Sequence, residues 1–481
     1  MITVSQTDTP TLQARYHSGY VWIISLVAAM GGLLFGWDWV VIGGAKLFFQ
    51  RYFELTSEGQ IAWANSCALV GCLLGALAAG AMSKKFGRKR LLVAAALLFA
   101  VTSVGNALSQ AFSVFIAWRI CGGVAIGLAS ILSPMYIAEV APSQMRGRLV
   151  SVNQLTVVIG VLLAQYINWF LVRKLPPGSS DEFIRQSWFG QEGWRWMFGV
   201  TAVPALLFFL GMMCVPESPR WLAQRGEHER ARAVLAGIGG ATYADASLEE
   251  IKSSLAAEAA QRASLAELLD PKMAKVLILG IFLAVFQQWC GINVIFNYAE
   301  EIFRAAGYDI SSVLKNIAWT GSVNLLFTLV ALAVIDRGGR RPLMLLGSAG
   351  LAVIYIALGL CYWLGVKGGP MLVLVLAAIG CYAMSLAPVV WVVIAEIFPN
   401  RIRGAAMSAA VSALWIGCFT LTYSFPFLNA KLGSAGTFWL YAGICVAGFL
   451  FIKLKLPETK GKSLEQIERE LVDDQPVHAH E

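Results

Sequence analysis

Apolar stretches long enough to cross a bilayer recur along almost the whole chain, and few folds can be built from them. A helix rises 1.5 Å per residue, so about 20 apolar residues span a hydrocarbon layer ~30 Å thick. Twelve such runs are present: 20–45, 61–82, 91–109, 112–138, 149–172, 194–215, 273–299, 312–335, 342–364, 370–395, 404–428 and 436–456. In lipid each backbone N–H and C=O must be satisfied within its own segment, which makes helices of runs this long. Charged residues make up 14% of the 481 residues, against roughly 25% in soluble domains. The sequence predicts an all-α polytopic membrane protein with twelve transmembrane helices.

The first run follows a polar tail of 19 residues with no basic n-region and no small-residue cleavage site, so it reads as a retained span. Basic clusters give the orientation. Lys84–Arg90 lies between spans 2 and 3, Arg337–Arg341 between spans 8 and 9, Arg146 and Arg148 after span 4, and Arg401 and Arg403 after span 10. All fall on one side, which the positive-inside rule makes cytoplasmic, and both termini follow them. The net charge of +8 thus reports topology rather than nucleic-acid binding. Nine cysteines are scattered singly without a C-x-x-C pair and read as buried small hydrophobes. His17, His228, His478 and His480 all lie in the tails or the central loop, so neither a metal site nor a cofactor is expected.

The chain divides into a tail (1–19), six spans (20–215), a charged linker (216–272), six further spans (273–456) and a second tail (457–481). Ser247-Leu248-Glu249-Glu250 and Ser264-Leu265-Ala266-Glu267 fit the S-x-x-E capping box and predict short cytoplasmic helices in the linker; Ser463 begins a similar pattern. The halves match at corresponding points. Gly87-Arg88-Lys89 after span 2 answers Gly339-Arg340-Arg341 after span 8. Glu139 and Arg146 answer Glu396 and Arg403, each pair seven apart and followed by glycine. Pro216-Glu217-Ser218 answers Pro457-Glu458-Thr459. Three coincidences in one order imply an internal duplication, and repeated halves with a site between them are a transporter architecture. Acids and arginines at the inner ends of spans can pair between helices, closing the inner mouth in one state, or can simply fix topology.

Asp38 is the only carboxylate in the first run. A charge near the bilayer centre costs roughly 2.5–3.5 kcal/mol on insertion scales, so an intramembrane acid points to function, with a snorkelling or structurally paired acid as the plainer reading. No histidine and no second carboxylate accompany it within the runs, which leaves an intramembrane enzyme without a catalytic set.

GGLLFGWD (31–38), FGRKR (86–90), SPMYIAEVAPSQMRGR (133–148), VPESPRWL (215–222), FQQWCGIN (286–293), DRGGRR (336–341), WVVIAEIFPNRIRG (391–404) and PETKGKSLE (457–465) together resemble the sugar porter family of the major facilitator superfamily. The likeness covers nearly the whole chain and is nearest to bacterial proton-coupled xylose symporters and facilitative glucose transporters. It implies a bacterial inner-membrane importer of a monosaccharide, coupled to protons and working by alternating access, for which a monomer suffices. Asp38 matches the acid of the proton-coupled members, where facilitators generally carry Asn, and Arg119 matches its partner. Each lies about seven or eight residues from the outer end of its run, roughly 10–12 Å deep, so the two could meet. Pairing favours the ionised acid and desolvation the neutral one, a balance suited to carrying a proton. A static pair that locks packing is the alternative.

The resemblance places the sugar against Phe35, Gln154, Gln287, Gln288, Asn293, Asn324, Trp391 and Trp415, and the cytoplasmic gate at Arg88, Glu139, Arg146, Glu217, Asp336, Arg340, Glu396 and Arg403. Amides donate and accept without demanding a counter-charge, as hydroxyls require; in membrane spans they also serve as links between helices. Val161, Asn297, Ala387 and Leu414 depart from the xylose-symporter pattern, where glutamine, tyrosine, glycine and glutamine stand. Ser83 replaces an acid that Asp336 supplies in the second half. A facilitator with Asp38 idle and a non-transporting sugar sensor remain alternatives; short tails argue against the sensor.

Overall fold

The computed structural model describes residues 16–471, apart from 173–174, 177–178, 261–269, 400–401, 461, 463–465 and 468–469. Among the described residues the regular structure is helical throughout. The spans run Ser18–Tyr52, Glu58–Phe86, Arg88–Leu108, Phe112–Val140, Ser143–Val172, Phe189–Cys214, Pro271–Asn297, Ser312–Ile335, Arg340–Trp363, Gly369–Ile397 and Arg403–Lys455. The last holds two spans, because its only break is at Gly433 (φ 67°). The loop expected between spans 11 and 12 is therefore absent: Leu428–Lys431 continues the helix, and one left-handed glycine turns the chain.

Spans 1–6 pack on one another, as do spans 7–12, giving two six-helix halves. Span 2 lies against span 4, and span 1 against span 5. Between halves, span 2 meets span 11, where the Trp63 and Phe419 rings are 6.4 Å apart, and span 5 meets span 8, where Gln165 Nε2 donates to Thr320 Oγ1 at 3.2 Å. Leu77, Leu97, Leu206, Ile278, Leu326 and Val353 point outward as exposed apolar side chains, as a lipid-facing surface requires. Span 2 starts from a capping box: Ser57 Oγ accepts from the Gln60 N–H at 3.2 Å, and the Ser57 N–H donates back to Gln60 Oε1.

Span 1 departs from expectation by continuing seven residues past Ala45, so that Lys46 lies inside it. The helix around Asp38 is fixed by contact with span 5. A Cβ at Gly36 would run into the Val157 carbonyl, so only glycine allows the two backbones this close. Gly36→Val is expected to force the helices apart at a cost of about 1–3 kcal/mol. The purified variant should melt at lower temperature in detergent; an unchanged melting point would show that the contact is not tight.

In the linker, Pro219–Gln224 and His228–Ala260 are helical, the second interrupted at Gly239–Gly240. Trp221, Leu222, Ala231 and Leu235 form a small core of their own. Ser247 lies inside the later helical segment and does not start it, because the glycine pair breaks the chain seven residues earlier. Ser264–Glu267 and Ser463 lie outside the described residues. A further helix, Asp181–Gln186, precedes span 6, and Asp181 is tied to Arg51 at 2.6 Å. The Arg51 hydrogen bond holds the Asp181 carboxyl below its ordinary range.

Candidate functional site

Span 1 carries the site because its residues 35–39 face three partners at once. Asp38 Oδ2 accepts from Arg119 Nη1 of span 4 at 3.0 Å, with the residues 6% and 2% exposed. Such a pair is worth little as stability, since desolvation offsets most of the attraction, yet removing one partner leaves the other buried and unpaired. The guanidinium also lies 5.4 Å from the Phe198 ring centre of span 6. Span 1 then sends Phe35 and Trp39 toward span 11, where each ring centre is about 6 Å from that of Trp415 (6.1 and 6.0 Å). This aromatic triangle joins the halves. The Trp415 Nε1–H is buried without a hydrogen-bond partner, a donor left over for a ligand.

The predicted amides of span 7 come together around a break in their helix. The chain leaves the helix after Trp289, passes Gly291 in the left-handed region (φ 88°), and resumes at Ile292. A side chain at Gly291 would be strained at that φ and would meet the Tyr441 ring. Gln287 and Gln288 stand before the break, and Asn293 and Asn297 after it. Asn293 Nδ2 donates to Gln288 Oε1, Gln288 Nε2 to Gln287 Oε1 at 3.4 Å, and Gln287 Nε2 to the Leu386 and Ala387 carbonyls at 3.2 and 3.0 Å. Those carbonyls lie just after a bend in span 10 at Ser385. Gln154 is half-buried on span 5, Asn324 buried on span 8, and Trp391 38% exposed on span 10; none of the three hydrogen-bonds to this group. Of the four departures, Val161 and Leu414 are buried, Ala387 receives Gln287, and Asn297 lines a small cavity beside Asp38.

On the side away from the basic loops the site is sealed. From Gly36 to Phe49 every residue except Trp39 is buried, and so is every residue from Cys290 to Glu300. Span 1 approaches span 7 so closely that a Cβ at Gly43 would meet the Phe296 carbonyl. Above this contact Lys46, fully buried, is paired with Glu301 of the other half and has its Nζ 4.5 Å from the Tyr298 ring centre. Inner segments are looser: Val150–Val157 is only half-buried and Ser408 is exposed. The site is packed shut on the side of Lys46, and the segments toward the basic loops are less buried. Sequence reasoning missed Lys46 and Glu301; the signal available was a lysine one turn before the basic end of span 1.

The inner ends carry two clusters alike almost bond for bond. Arg88 Nη2 donates to Glu139 at 2.8 Å, and Arg340 Nη2 to Glu396 at 3.2 Å. Glu217 accepts the backbone N–H groups of Arg88 and Lys89, both at 3.0 Å; Glu458 accepts those of Arg340 and Arg341 at 3.0 and 3.1 Å. Ser218 Oγ donates to Glu139, and Thr459 Oγ1 to Glu396. Partial burial opposes ionisation of Glu458, but backbone donors from Lys460, Arg340, Arg341 and Thr459 outweigh it and hold the carboxyl below its ordinary range. Each of these contacts stays within one half, tying the ends of three spans together. Arg146 is exposed, Arg403 donates to the Phe398 carbonyl at 3.0 Å, and the Asp336 side chain lies outside the described residues.

Comparison with known proteins matches this architecture over its length. The family described as sugar (and other) transporter matches residues 24–471. The D-xylose-proton symporter of Escherichia coli K12 is 37% identical, the alignment covering 95% of this chain and 97% of that protein. The arabinose-proton symporter of Bacillus subtilis is 38% identical over 97% of this chain and 98% of its own. A solved structure of the E. coli xylose transporter, in a partially occluded inward-open conformation, superposes with a TM-score of 0.81 at 35% identity, covering 92% of this chain and all of that one. The chain belongs to the sugar transporter family, as a sugar porter of the major facilitator superfamily.

Proposed function

We propose that this protein imports a monosaccharide, a pentose or a hexose, together with protons by alternating access. The observation that carries the reading is on span 1: Asp38, paired with Arg119, lies between Phe35 and Trp39, which close on Trp415 of the other half. A protonatable acid and an aromatic platform on one helix give a physical route for proton and sugar to act on the same movement. Phe35, Gln154, Gln287, Gln288, Asn293, Asn324, Trp391 and Trp415 hold the sugar, the amides answering hydroxyls and the rings stacking on its C–H face. Protonation of Asp38 releases Arg119 and changes which conformer is preferred.

Residues 20–215 and 273–456 move as the two bodies, joined by the linker 216–272. The Arg88–Glu139–Glu217 and Arg340–Glu396 clusters, with Arg146, Asp336 and Arg403, form the inner gate. The protein works as a monomer in the bacterial inner membrane, both termini cytoplasmic, and carries out no chemical conversion.

Sugar-dependent alkalinisation outside cells expressing the protein, across a panel of pentoses and hexoses, tests the reading. One sugar is expected to draw protons inward. A sugar that equilibrates without any pH change would make the protein a facilitator instead, and binding without uptake would make it a sensor.

A further inference from the structure

Beside the Asp38–Arg119 pair lies a small cavity whose lining includes Asn65, Cys72 and Trp39 of the first half and Asn297 of the second. Asn65, on span 2, is 4% exposed. Its Nδ2 donates to the Ile61 carbonyl at 2.9 Å, which fixes the orientation of the amide, since only the nitrogen can donate there. Its Oδ1 is therefore the atom left over, and it is buried with no hydrogen-bond partner. A buried acceptor without a donor is costly; among those this chain keeps, the Asn65 oxygen is the one whose residue lines the cavity beside Asp38. No such acceptor is needed while Asp38 is ionised, because a carboxylate donates nothing. A protonated Asp38 has an O–H to place, and Arg119 offers only donors.

We infer that Asn65 is the residue that receives the proton-bearing form of Asp38, its Oδ1 accepting the carboxyl O–H in the second protonation state. The inference rests on proton coupling through Asp38. Loading adds one proton to the carboxylate; the Arg119 hydrogen bond is given up and the Asn65 hydrogen bond is formed. The unpartnered Arg119 Nε–H shows that the guanidinium also keeps hydrogen-bonding capacity in reserve for a second arrangement. The ionisable groups around Asp38 are Arg119 from span 4 and the Cys67 and Cys72 thiols from span 2, while span 7 contributes the neutral Asn297. Cys72 and Asn297 share the lining with Asn65; the Asn65 oxygen is the buried acceptor among them that lacks a donor. Asn65 is a positioning residue: it sets how readily the acid takes its proton and does not carry the proton itself.

The test compares Asn65→Val with Asn65→Thr, two side chains of one shape that differ in a hydroxyl acceptor. Sugar-driven proton uptake is measured against external pH, and labelled-sugar exchange at fixed pH. Asn65→Val is expected to need about tenfold more external protons for half-maximal uptake, a midpoint roughly one pH unit more acidic. Asn65→Thr should recover at least half of that shift, and exchange should stay within about twofold of wild type in both. Asn65→Ala supplies the same acceptor-free comparison if the valine variant does not reach the membrane. Superimposable pH profiles for wild type and the acceptor-free variants would overturn the inference, as would equal shifts for valine and threonine, which would mark a packing effect. A wild type that moves sugar without protons would overturn the symport reading beneath it, and that outcome is visible before any Asn65 variant is made.

Discussion

Asp38→Asn is expected to abolish concentrative uptake while leaving sugar exchange in place. Asparagine has nearly the shape of aspartate and stands in for the protonated, uncharged acid, so the sugar-loaded movement stays possible. What is lost is the ability to take and release a proton, and with it the link to the membrane potential. One charge moved through 100 mV is worth roughly 2.3 kcal/mol, enough to sustain about fifty-fold accumulation at ~1.4 kcal/mol per decade. The variant should therefore fall from tens-fold accumulation to equilibration, with counterflow of labelled sugar near the wild-type rate. Energised vesicles loaded with a protonophore supply the control, since the wild type should then behave like the variant. Continued sugar-driven alkalinisation by Asp38→Asn would remove Asp38 from the coupling mechanism.

Glu301→Gln is expected to open the outer seal. Lys46 has no access to solvent in this conformation, and the opposite half provides its counter-charges, Glu301 in direct contact and the buried Glu300 beside it. Removing one partner of a buried pair typically costs about 3–5 kcal/mol, because the remaining charge stays desolvated. Glu301 is itself about a third exposed at its side chain, 32%, which argues for the lower end of that range. A cost of about 3 kcal/mol to the outer-closed conformer shifts the equilibrium roughly a hundredfold toward opening. Hydrogen–deuterium exchange should quicken in segments 40–52 and 292–305 while the inner ends of the spans slow or hold. Adding Lys46→Met to Glu301→Gln should return exchange toward wild type, since an apolar replacement no longer needs a partner. Unchanged exchange in the single variant would mean that the pair contributes nothing to closure.

The sequence was most legible where physics leaves one choice. Long apolar runs must be helices in lipid, and the basic loops and repeated Gly-Arg and Pro-Glu motifs marked the same inner points in both halves; Glu217 and Glu458 do the same job there on corresponding backbone groups. Asp38 was visible because an acid in an apolar run has no other explanation as economical. The breaks were harder to see. Gly291 and Ser385 interrupt runs whose composition favours uninterrupted helix, and what permits them is a partner elsewhere, such as Gln287 on the span 10 carbonyls. Gly433 turns the chain where a loop was expected, because the flanking residues are good helix formers. Lys46 read as the polar end of span 1, since its counter-charge comes from Glu301, 255 positions later in the sequence. Asn65 gave no signal at all: one amide in an apolar helix is ordinary until it is seen lining the cavity beside Asp38 with an oxygen left over.

The Gly291 break has a kinetic consequence. The amides on its two sides belong to a 19-residue helix and a six-residue one, joined through Cys290 and the left-handed Gly291, so an empty carrier holds an articulated joint. A guest that touches Gln287 or Gln288 and Asn293 together braces that joint. Ordering it is an entropic cost that the loaded carrier has already met when it begins to turn, whereas the unoccupied one must meet it during the turn. The unladen return stroke is thus the natural slow step of the cycle, and the rhythm of the whole machine is set by the half of its journey in which it carries nothing.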